Sequence, residues 1–244
     1  MTKFSDLHLC VPLKDPERTR HMVEKSSELG YSQIGVPFPA GIKQDATNQV
    51  RRISEDFGID LVTRLDLSPR SPGELLSDLR QFRRSFEIVS VLCGSKPVAR
   101  QAAKDRRVDL LCFPGLDRRK RFFDWAEAAL ASKSSAALEI DLSRVLSVDS
   151  FVRVGLLSIL RREATLAKSY GVPLVFSSGA SDVLLLRKPQ DFAALTFLFD
   201  MDASLALRAL SGNPMSIVEK NRKKQSPDYV APGIRVVKRK EKNR

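Results

Sequence analysis

Histidine and cysteine are scarce in this sequence, and their scarcity limits the kinds of metal site that it can form. The 244 residues include two histidines, His8 and His21. A hydrolytic metal centre usually needs several histidines together with carboxylates. The three cysteines, Cys10, Cys93 and Cys112, lie in apolar runs and form no CxxC pair. We therefore expect buried, reduced thiols.

Other absences argue against a membrane protein and a dinucleotide-binding fold. No segment approaches the ~18 consecutive apolar residues that a membrane-spanning helix needs, and the N-terminus has no apolar signal-peptide core. We therefore expect no membrane partner and a protein that stays in the compartment where it is made. No GxGxxG motif follows the first predicted strand. Aromatic residues make up 7% of the chain and form no platform on which bases would stack.

Positive charge, by contrast, is abundant and unevenly distributed. The formal net charge is +12 and the pI is near 9.9. Residues 220–244 hold ten Lys or Arg against two acids, so this segment supplies most of the net charge. A block of this kind favours polyanions, because each phosphate that it neutralises releases counterions. The pattern favours a nucleic-acid partner, and a tail that only keeps the protein in solution is the alternative.

Short apolar runs alternate with stretches of helical period along the chain. The predicted strands are Phe4–Val11, Ser32–Val36, Asp60–Leu67, Glu87–Cys93, Val108–Phe113, Ala137–Leu142 and Pro173–Ser178. Helix starts are predicted where a capping residue precedes a proline, at Pro16, Pro72 and Pro214. Repeated strand and helix units predict parallel strands joined by right-handed crossovers. We expect an α/β fold, a distorted TIM-like barrel of about seven parallel strands with outer helices over residues 1–219, followed by a basic C-terminal tail over residues 220–244.

The first predicted strand contains the motif SDLHLC (Ser5–Cys10), which raises the question of a metal site. Residues two apart on a strand share a face, so Asp6, His8 and Cys10 point to the same side. In barrels the C-terminal ends of the strands line the functional site. The three side chains could hold a metal if further ligands converged on them, but His21 lies in a predicted helix. An ordinary strand histidine is the interpretation that we favour.

Six segments carry a resemblance to known families. They are SDLHL (Ser5–Leu9), TRLDL (Thr63–Leu67), FEIVSVLCGSKPVARQAAKDRRVDLLCF (Phe86–Phe113), ALEIDLS (Ala137–Ser143), SSGASDVLLLRKPQDF (Ser177–Phe192) and GNPMSIVEKNRKK (Gly212–Lys224). The first resembles the opening of the polymerase-and-histidinol-phosphatase (PHP) superfamily, whose members have a distorted seven-stranded barrel. The succession of all six resembles the RNase P protein component 3 family, the thirty-kilodalton subunits of archaeal and eukaryotic ribonuclease P, over nearly all of residues 3–224.

The resemblance implies a barrel that is not itself the catalyst. In this family an RNA removes the 5′ leader from precursor tRNA, and the protein supports that RNA together with a small ferredoxin-like subunit and other ribonuclease P proteins. It implies no catalytic residue and no metal or cofactor on the protein, with magnesium needed by the partner RNA. An archaeal source, which the absence of a long extra C-terminal region favours, would imply a cytoplasmic location, and a eukaryotic source a nucleolar one. The alternatives are a metal-dependent PHP-type phosphoesterase and a small-molecule enzyme that holds a phosphate at SSGA (Ser177–Ala180).

Cations near the ends of the predicted elements are the candidate RNA contacts. Arg64 and Glu139 would face each other in the barrel mouth, so we expect a buried ion pair, with RNA contact by Arg64 as the alternative. The run DRRKR (Asp117–Arg121) places four consecutive cations after the fifth strand. The predicted RNA-binding residues are Arg64, Lys96, Arg118, Arg119, Lys120, Arg187, Lys188, Lys223 and Lys224. We expect contacts to the phosphate backbone of structured RNA, with little reading of bases.

Overall fold

Seven parallel strands form a single sheet in the computed structural model, which describes residues 2–231, 234 and 235. Strands that follow one another in the chain are neighbours in the sheet. They are β1 (Phe4–Asp6), β2 (Tyr31–Pro37), β3 (Asp60–Leu67), β4 (Ile88–Leu92), β5 (Leu110–Cys112), β6 (Ala137–Asp141) and β7 (Leu174–Ser177). This sequential parallel order confirms the predicted TIM-like barrel.

The segment immediately after β1 brings the two edges of the sheet together. A parallel bridge joins Leu9 to Ala180, which lies beyond the end of β7. Gly179 N donates a hydrogen bond of 2.9 Å to His8 O across the same edge. The predicted strand Phe4–Val11 is therefore regular only in its first residues, and its second half is an irregular segment that completes the barrel wall.

Helices cover the outside of the barrel. They are α1 (Pro16–Glu28), α2 (Gln44–Asp56), α3 (Pro72–Phe82), α4 (Lys96–Lys104), α5 (Trp125–Ser134), α6 (Ser143–Ser147), α7 (Ser150–Tyr170), α8 (Pro189–Leu195) and α9 (Ala203–Leu210). Two predicted starts are confirmed by their caps, since Asp15 accepts a hydrogen bond from Arg18 N at 3.0 Å and Ser71 accepts one from Glu74 N at 3.2 Å. Within the described residues, no helix has the length and apolar character to cross a bilayer.

A tenth helix, α10 (Gly212–Gln225), closes the N-terminal end of the barrel. The apolar cluster inside the barrel consists of Leu7, Val62, Ile88, Leu110, Ala137, Val175 and, from α10, Ile217 and Val218. The helix begins two residues before Pro214, so the predicted start at that proline is wrong. Asn213 does not cap the helix, because its side chain donates to Leu174 O at 2.8 Å.

The predicted boundary between residues 219 and 220 falls inside α10 and is corrected by the structure. Arg222 forms ion pairs with Asp60 at 2.7 Å and with Glu87 at 2.5 Å, at the starts of β3 and β4. Residues 220–225 therefore belong to the barrel, because they continue α10 and because Asn221, Arg222 and Gln225 bond to residues at the strand starts. Two short antiparallel strands follow, β8 (Tyr229–Ala231) and β9 (Ile234–Arg235). The rest of the predicted tail, residues 236–244, lies outside the described residues.

Candidate functional site at the barrel mouth

Arg64 lies at the centre of the barrel mouth, where the C-terminal ends of the strands meet. The side chain has no exposed surface. Its Nη1 and Nη2 atoms donate to the two carboxylate oxygens of Glu139 at 2.6 and 2.7 Å, and its Nε donates to Asp66 at 2.7 Å. Nη1 also donates to Leu7 O at 2.8 Å. The structure therefore favours the predicted ion pair and removes Arg64 from the candidate RNA contacts, because a fully buried guanidinium cannot reach a phosphate.

Glu139 has all its acceptor positions occupied. Besides Arg64, Ser177 Oγ donates to one carboxylate oxygen at 2.6 Å and Cys112 Sγ donates to the other at 2.7 Å. Burial, followed by the negative charge of Glu139, raises the pKa of the Cys112 thiol well above its usual range, so the thiol keeps its proton and acts as the donor. Four hydrogen bonds thus hold a buried carboxylate in one position.

His8 bridges two carboxylates next to this pair. Its Nδ1 lies 2.8 Å from Asp141 and its Nε2 lies 3.4 Å from Asp66. Burial and the Arg64 charge act to lower the pKa of His8, but the two carboxylates outweigh them and hold it well above its ordinary value. Burial acts to raise the pKa of Asp66, yet the Arg64 charge holds it well below its usual range. The mouth therefore contains two cationic and several anionic groups that neutralise one another.

The SSGA segment forms the closing turn of the barrel. The amide of Ser178 donates to Asp6 at 2.8 Å, that of Gly179 to His8 O at 2.9 Å, and that of Ala180 to the Ser178 hydroxyl at 3.0 Å. Gly179 has a φ of +59°, and a Cβ there would lie 2.7 Å from the Asp141 side chain. These amides are all engaged, so the hypothesis that SSGA holds a phosphate is wrong.

A cavity of about 220 Å³ lies above the Arg64–Glu139 pair. Its polar lining includes His8, Asp66, Asp141 and Arg144. Leu156 and other apolar side chains form the rest of its wall. The cavity is thus a small pocket whose polar groups are largely bonded to one another.

The donor set at the mouth does not fit a metal ion. His8, Glu139 and Asp141 offer ligand atoms that lie within 4.8 Å of one another. However, both oxygens of Glu139 bond to Arg64, and Nδ1 of His8 bonds to Asp141. A cation would have to displace these bonds and would meet the positive guanidinium at close range. The phosphoesterase alternative is therefore not favoured.

Four of the predicted RNA contacts lie near the mouth end of the barrel. Lys96 is exposed at the start of α4, and Arg119 and Lys120 are exposed in a short 3₁₀ helix after β5 that also contains the backbone of Arg118. Arg121 turns inward and forms a buried ion pair with Glu163, 2.5 Å away, on α7. The run DRRKR consequently does not present four cations to solvent, because its last member is structural.

The remaining predicted contacts lie elsewhere. Lys188 is exposed just before α8, and the Arg187 guanidinium donates to the carbonyls of Leu184 and Leu186 at 2.6 and 2.7 Å. Lys223 and Lys224 are exposed on α10, at the opposite end of the barrel from the mouth. The structure therefore distributes the predicted cations over three separate regions.

Sequence reasoning missed the contributions of Cys112 and Ser177 to the mouth. Cys112 is paired in register with Glu139 on the neighbouring strand β6, and Ser177 is paired with Asp141. Both are the last residues of their strands, which is the position that lines the mouth of a barrel. That position is a signal in the sequence, but its use requires strand ends that are known to within one residue.

Comparison with known proteins identifies the family to which this chain belongs. The profile of the family described as RNase P subunit p30 matches residues 3–226. The chain is 32% identical over 237 residues to Ribonuclease P protein component 3 of Methanosarcina barkeri, and the alignment covers 96% of each chain. It is 27% identical over 242 residues to the protein of the same name from Methanothermobacter thermautotrophicus, covering 97% of this chain and 96% of the relative.

Solved structures share the fold. A chain from the cryo-EM structure of archaeal Ribonuclease P with mature tRNA superposes with a TM-score of 0.80 at 22% identity, covering 91% of this chain and 96% of that one. A Burkholderia amidohydrolase with bound Zn superposes with a TM-score of 0.54 at 12% identity, covering 90% and 73%. At these identities the superpositions show the barrel fold alone. The profile match over residues 3–226 and the relative at 32% identity show that the chain belongs to the RNase P subunit p30 family.

Proposed function

We propose that this chain, a protein subunit of ribonuclease P by its family, supports a catalytic RNA in removing the 5′ leader from precursor tRNA. The observation that carries the proposal is the family match over residues 3–226. The net charge of +12 supports an RNA partner, because Lys and Arg neutralise backbone phosphates. The relatives compared are archaeal, and archaeal cells have no nucleolus, so the cytoplasm is the proposed location.

The chain contributes no active site of its own in this proposal. Enzymes with this type of barrel keep their catalytic groups at the C-terminal ends of the strands. Here that position is filled by Arg64, whose guanidinium bonds to Glu139 and Asp66. Bond cleavage is left to the RNA, with magnesium ions bound by the RNA and by its substrate.

Exposed cations supply the proposed contacts with ribonuclease P RNA and precursor tRNA. Lys96, Arg119 and Lys120 near the mouth, and Lys188 before α8, are exposed to solvent. The others in the proposed set are Arg118, Arg187, Lys223 and Lys224. Lysine acts as a point charge toward phosphate and arginine can grip it with two hydrogen bonds, so these residues position RNA without reading its sequence.

Protein partners complete the proposed assembly. We include a small ferredoxin-like subunit and other ribonuclease P proteins. The exposed apolar side chains Phe151 and Val154 on α7, 91% and 71% exposed, support contact with protein, because exposed large apolar groups are typical of protein interfaces. The similarity to a chain of an archaeal ribonuclease P structure supports the same assignment.

Reconstitution tests the proposal. Purified chain is added to an archaeal ribonuclease P RNA with its small partner subunit, and release of the 5′ leader from precursor tRNA is measured with and without the chain. We expect faster cleavage with the chain present, and no cleavage by the chain alone at any magnesium concentration. Turnover by the isolated chain that is lost in the His8→Gln variant would show that the mouth is an active site and would overturn the proposal.

A further inference from the structure

The end of the barrel opposite the mouth carries a dense group of cations. Two of them lie one turn apart on α10, two lie just after α3, and two lie at or just after the end of α4. The six residues, here called the basal patch, are Arg83, Arg84, Lys104, Arg106, Lys220 and Lys224. Parallel strands place the C-terminal ends of these outer helices at the same end of the barrel that α10 closes. The fold therefore brings together charges that are far apart in sequence.

Hydrogen bonds fix α10 beside the end of α3. Gln225 Nε2 and Arg83 Nη1 both donate to Phe86 O, at 2.7 and 2.9 Å. Asn221 Nδ2 donates to Glu87 O at 2.9 Å, just before β4. The lysines of α10 are therefore carried on a helix that is held against the barrel.

The charges of the basal patch act on one another. Arg83 lies 3.1 Å from Asp109, and Arg106 precedes Asp109 by three residues. The pKa of Lys224 is lowered, first by burial and next by the positive charge of Lys220, and Arg83 and Arg106 act in the same direction. The single carboxylate of Asp109 opposes them. This pattern indicates a concentration of positive charge that the protein itself does not neutralise.

Three further acids near the basal patch are paired with arginines outside it, while Glu219 on α10 forms no ion pair in the described residues. Asp105 pairs with Arg107 at 2.7 Å, while Asp60 and Glu87 pair with Arg222. In the part of the chain that the structure describes, the five basal-patch cations other than Arg83 have no carboxylate within 4.0 Å. Their charge is therefore available to an external anion.

The surface chemistry favours RNA over a protein partner. The large apolar side chains that are exposed in the described residues are Leu116, Trp125, Phe151, Val154, Tyr170, Leu184, Phe197, Leu198 and Leu207. None of them belongs to α3, α4 or α10. Protein interfaces have an apolar centre with few lysines, whereas nucleic-acid interfaces are polar and strongly cationic.

We propose that the basal patch binds the phosphate backbone of RNA, as a second contact surface at the end of the barrel opposite Lys96 and Lys120. The inference rests on the proposed function as a ribonuclease P subunit and extends it by naming a surface. Cations at both ends let one rigid barrel hold two segments of structured RNA at a fixed separation. The ligand of the basal patch is a run of RNA backbone phosphates, and the identity of the bases has little effect on its binding.

A charge-matched pair of variants tests the basal patch. The basal variant is Arg106→Gln/Lys220→Gln/Lys224→Gln. The control variant is Lys14→Gln/Lys43→Gln/Arg70→Gln, which removes three cations from the loops before α1, α2 and α3; none of these three residues forms an ion pair in the described part of the chain. The affinity of each full-length chain for ribonuclease P RNA is measured over a range of KCl concentrations.

We expect the basal variant to bind ribonuclease P RNA at least about 10-fold more weakly than wild type near 0.15 M salt. The slope of the logarithm of the association constant against the logarithm of salt concentration should be smaller in magnitude by about 2, because each phosphate contact contributes about 0.7–0.9 to it. The control variant should stay near wild type. The single variants Lys220→Gln and Lys224→Gln should each lower the slope by about 1, and Lys220→Arg/Lys224→Arg should retain affinity. Thermal melting should be unchanged, because the three replaced side chains form no ion pair within the protein.

Equal affinities and slopes for the basal and control variants would overturn the assignment of the basal patch to RNA. Loss of binding to a ribonuclease P protein subunit with unchanged RNA affinity would also overturn it, in favour of a protein partner. Both results leave the proposed function intact as long as the wild-type chain accelerates precursor-tRNA cleavage. A wild-type chain without that effect would instead contradict the proposed function.

Discussion

At the scale of single residues, Arg64 acts as an internal cation in the barrel mouth. Its guanidinium bonds to both oxygens of Glu139 and to Asp66, so positive charge is already present where a metal would otherwise balance the carboxylates. Arginine suits this position because its planar fork matches a carboxylate with two parallel hydrogen bonds. The mouth is therefore occupied by a structural contact between β3 and β6.

The Arg64–Glu139 pair should show strong energetic coupling. Arg64→Met and Glu139→Gln each leave a buried polar partner without its mate, so each should cost about 3–5 kcal/mol of unfolding free energy, and the double variant should cost much less than the sum. Urea denaturation of the four proteins measures the coupling. Strictly additive losses would contradict the pairing; if the single variants do not fold, a cooperative transition regained in the double variant would support it.

The stabilising effect of His8 should depend on pH in a defined direction. The pKa of His8 is higher in the folded protein than in the unfolded chain, so protonation of His8 stabilises the fold. This stabilisation is fully present below the pKa of about 6.5 that His8 has in the unfolded chain. It is lost as the pH rises through the pKa of His8 in the folded protein. Asp66 and Asp141, with lowered pKa values, supply their charge above about pH 4. Thermal melts of wild type and His8→Gln should therefore differ most between about pH 4 and 6.5. A difference that grows as the pH rises above this range would contradict the bridging role.

At the scale of secondary-structure elements, α10 changes the meaning of the basic C-terminal sequence. Its apolar residues Ile217 and Val218 fill the interior of the barrel, and Arg222 bonds to the starts of two strands. The helix is thus part of the fold, while Lys223 and Lys224 remain exposed at the barrel end. One segment serves both stability and the display of charge.

Replacing Arg222 should reveal this role. Arg222→Ala removes ion pairs to Asp60 and Glu87 that are partly exposed, so we expect a loss of about 1–2 kcal/mol in unfolding free energy. The matched control is Lys223→Ala, an exposed neighbour on the same helix, which should change stability by less than about 0.5 kcal/mol. Equal effects of the two substitutions in chemical denaturation would contradict the assignment of this segment to the barrel.

At the scale of the whole molecule, charge is arranged by region. The interior of the mouth is balanced by internal pairs, while exposed cations lie near its rim, before α8 and on the basal patch. Such a distribution suits binding to an extended polyanion that contacts several sides of a small rigid body. It does not suit a small anionic substrate, which would need its cations to converge on one pocket.

RNA binding by the intact chain should therefore depend strongly on salt. We expect the logarithm of the association constant for ribonuclease P RNA to fall linearly with the logarithm of salt concentration, with a slope of several units because several phosphates are neutralised. The association constant is measured by filter binding or calorimetry between about 0.05 and 0.3 M KCl. An RNA of the same length and scrambled sequence is the control for recognition of bases. Affinity that is insensitive to salt would contradict phosphate recognition.

The sequence was sufficient to predict the barrel and the ion pair at its centre. Strand and helix periodicities are local, so alternation along the chain predicted six of the seven strands to within two residues at each end, while β1 ends five residues before its predicted end. Arg64 and Glu139 each sit on a predicted strand at a position that faces inward, and parallel order then brings them together. The boundary at residue 220 was wrong because charge composition does not reveal that the apolar residues of α10 pack inside the barrel.

By itself, the sequence determined the barrel class, the reduced state expected for the thiols and the large positive charge, because each depends on composition or on short-range periodicity. Only the tertiary structure decided which cations remain available. Arg64 and Arg121 are buried by partners from distant strands and helices, and Lys220 and Lys224 join cations from α3 and α4. The amides of SSGA are likewise consumed by residues of the first strand and its extension. Exposure and hydrogen-bond saturation depend on contacts between residues far apart in the chain, and no local pattern encodes them.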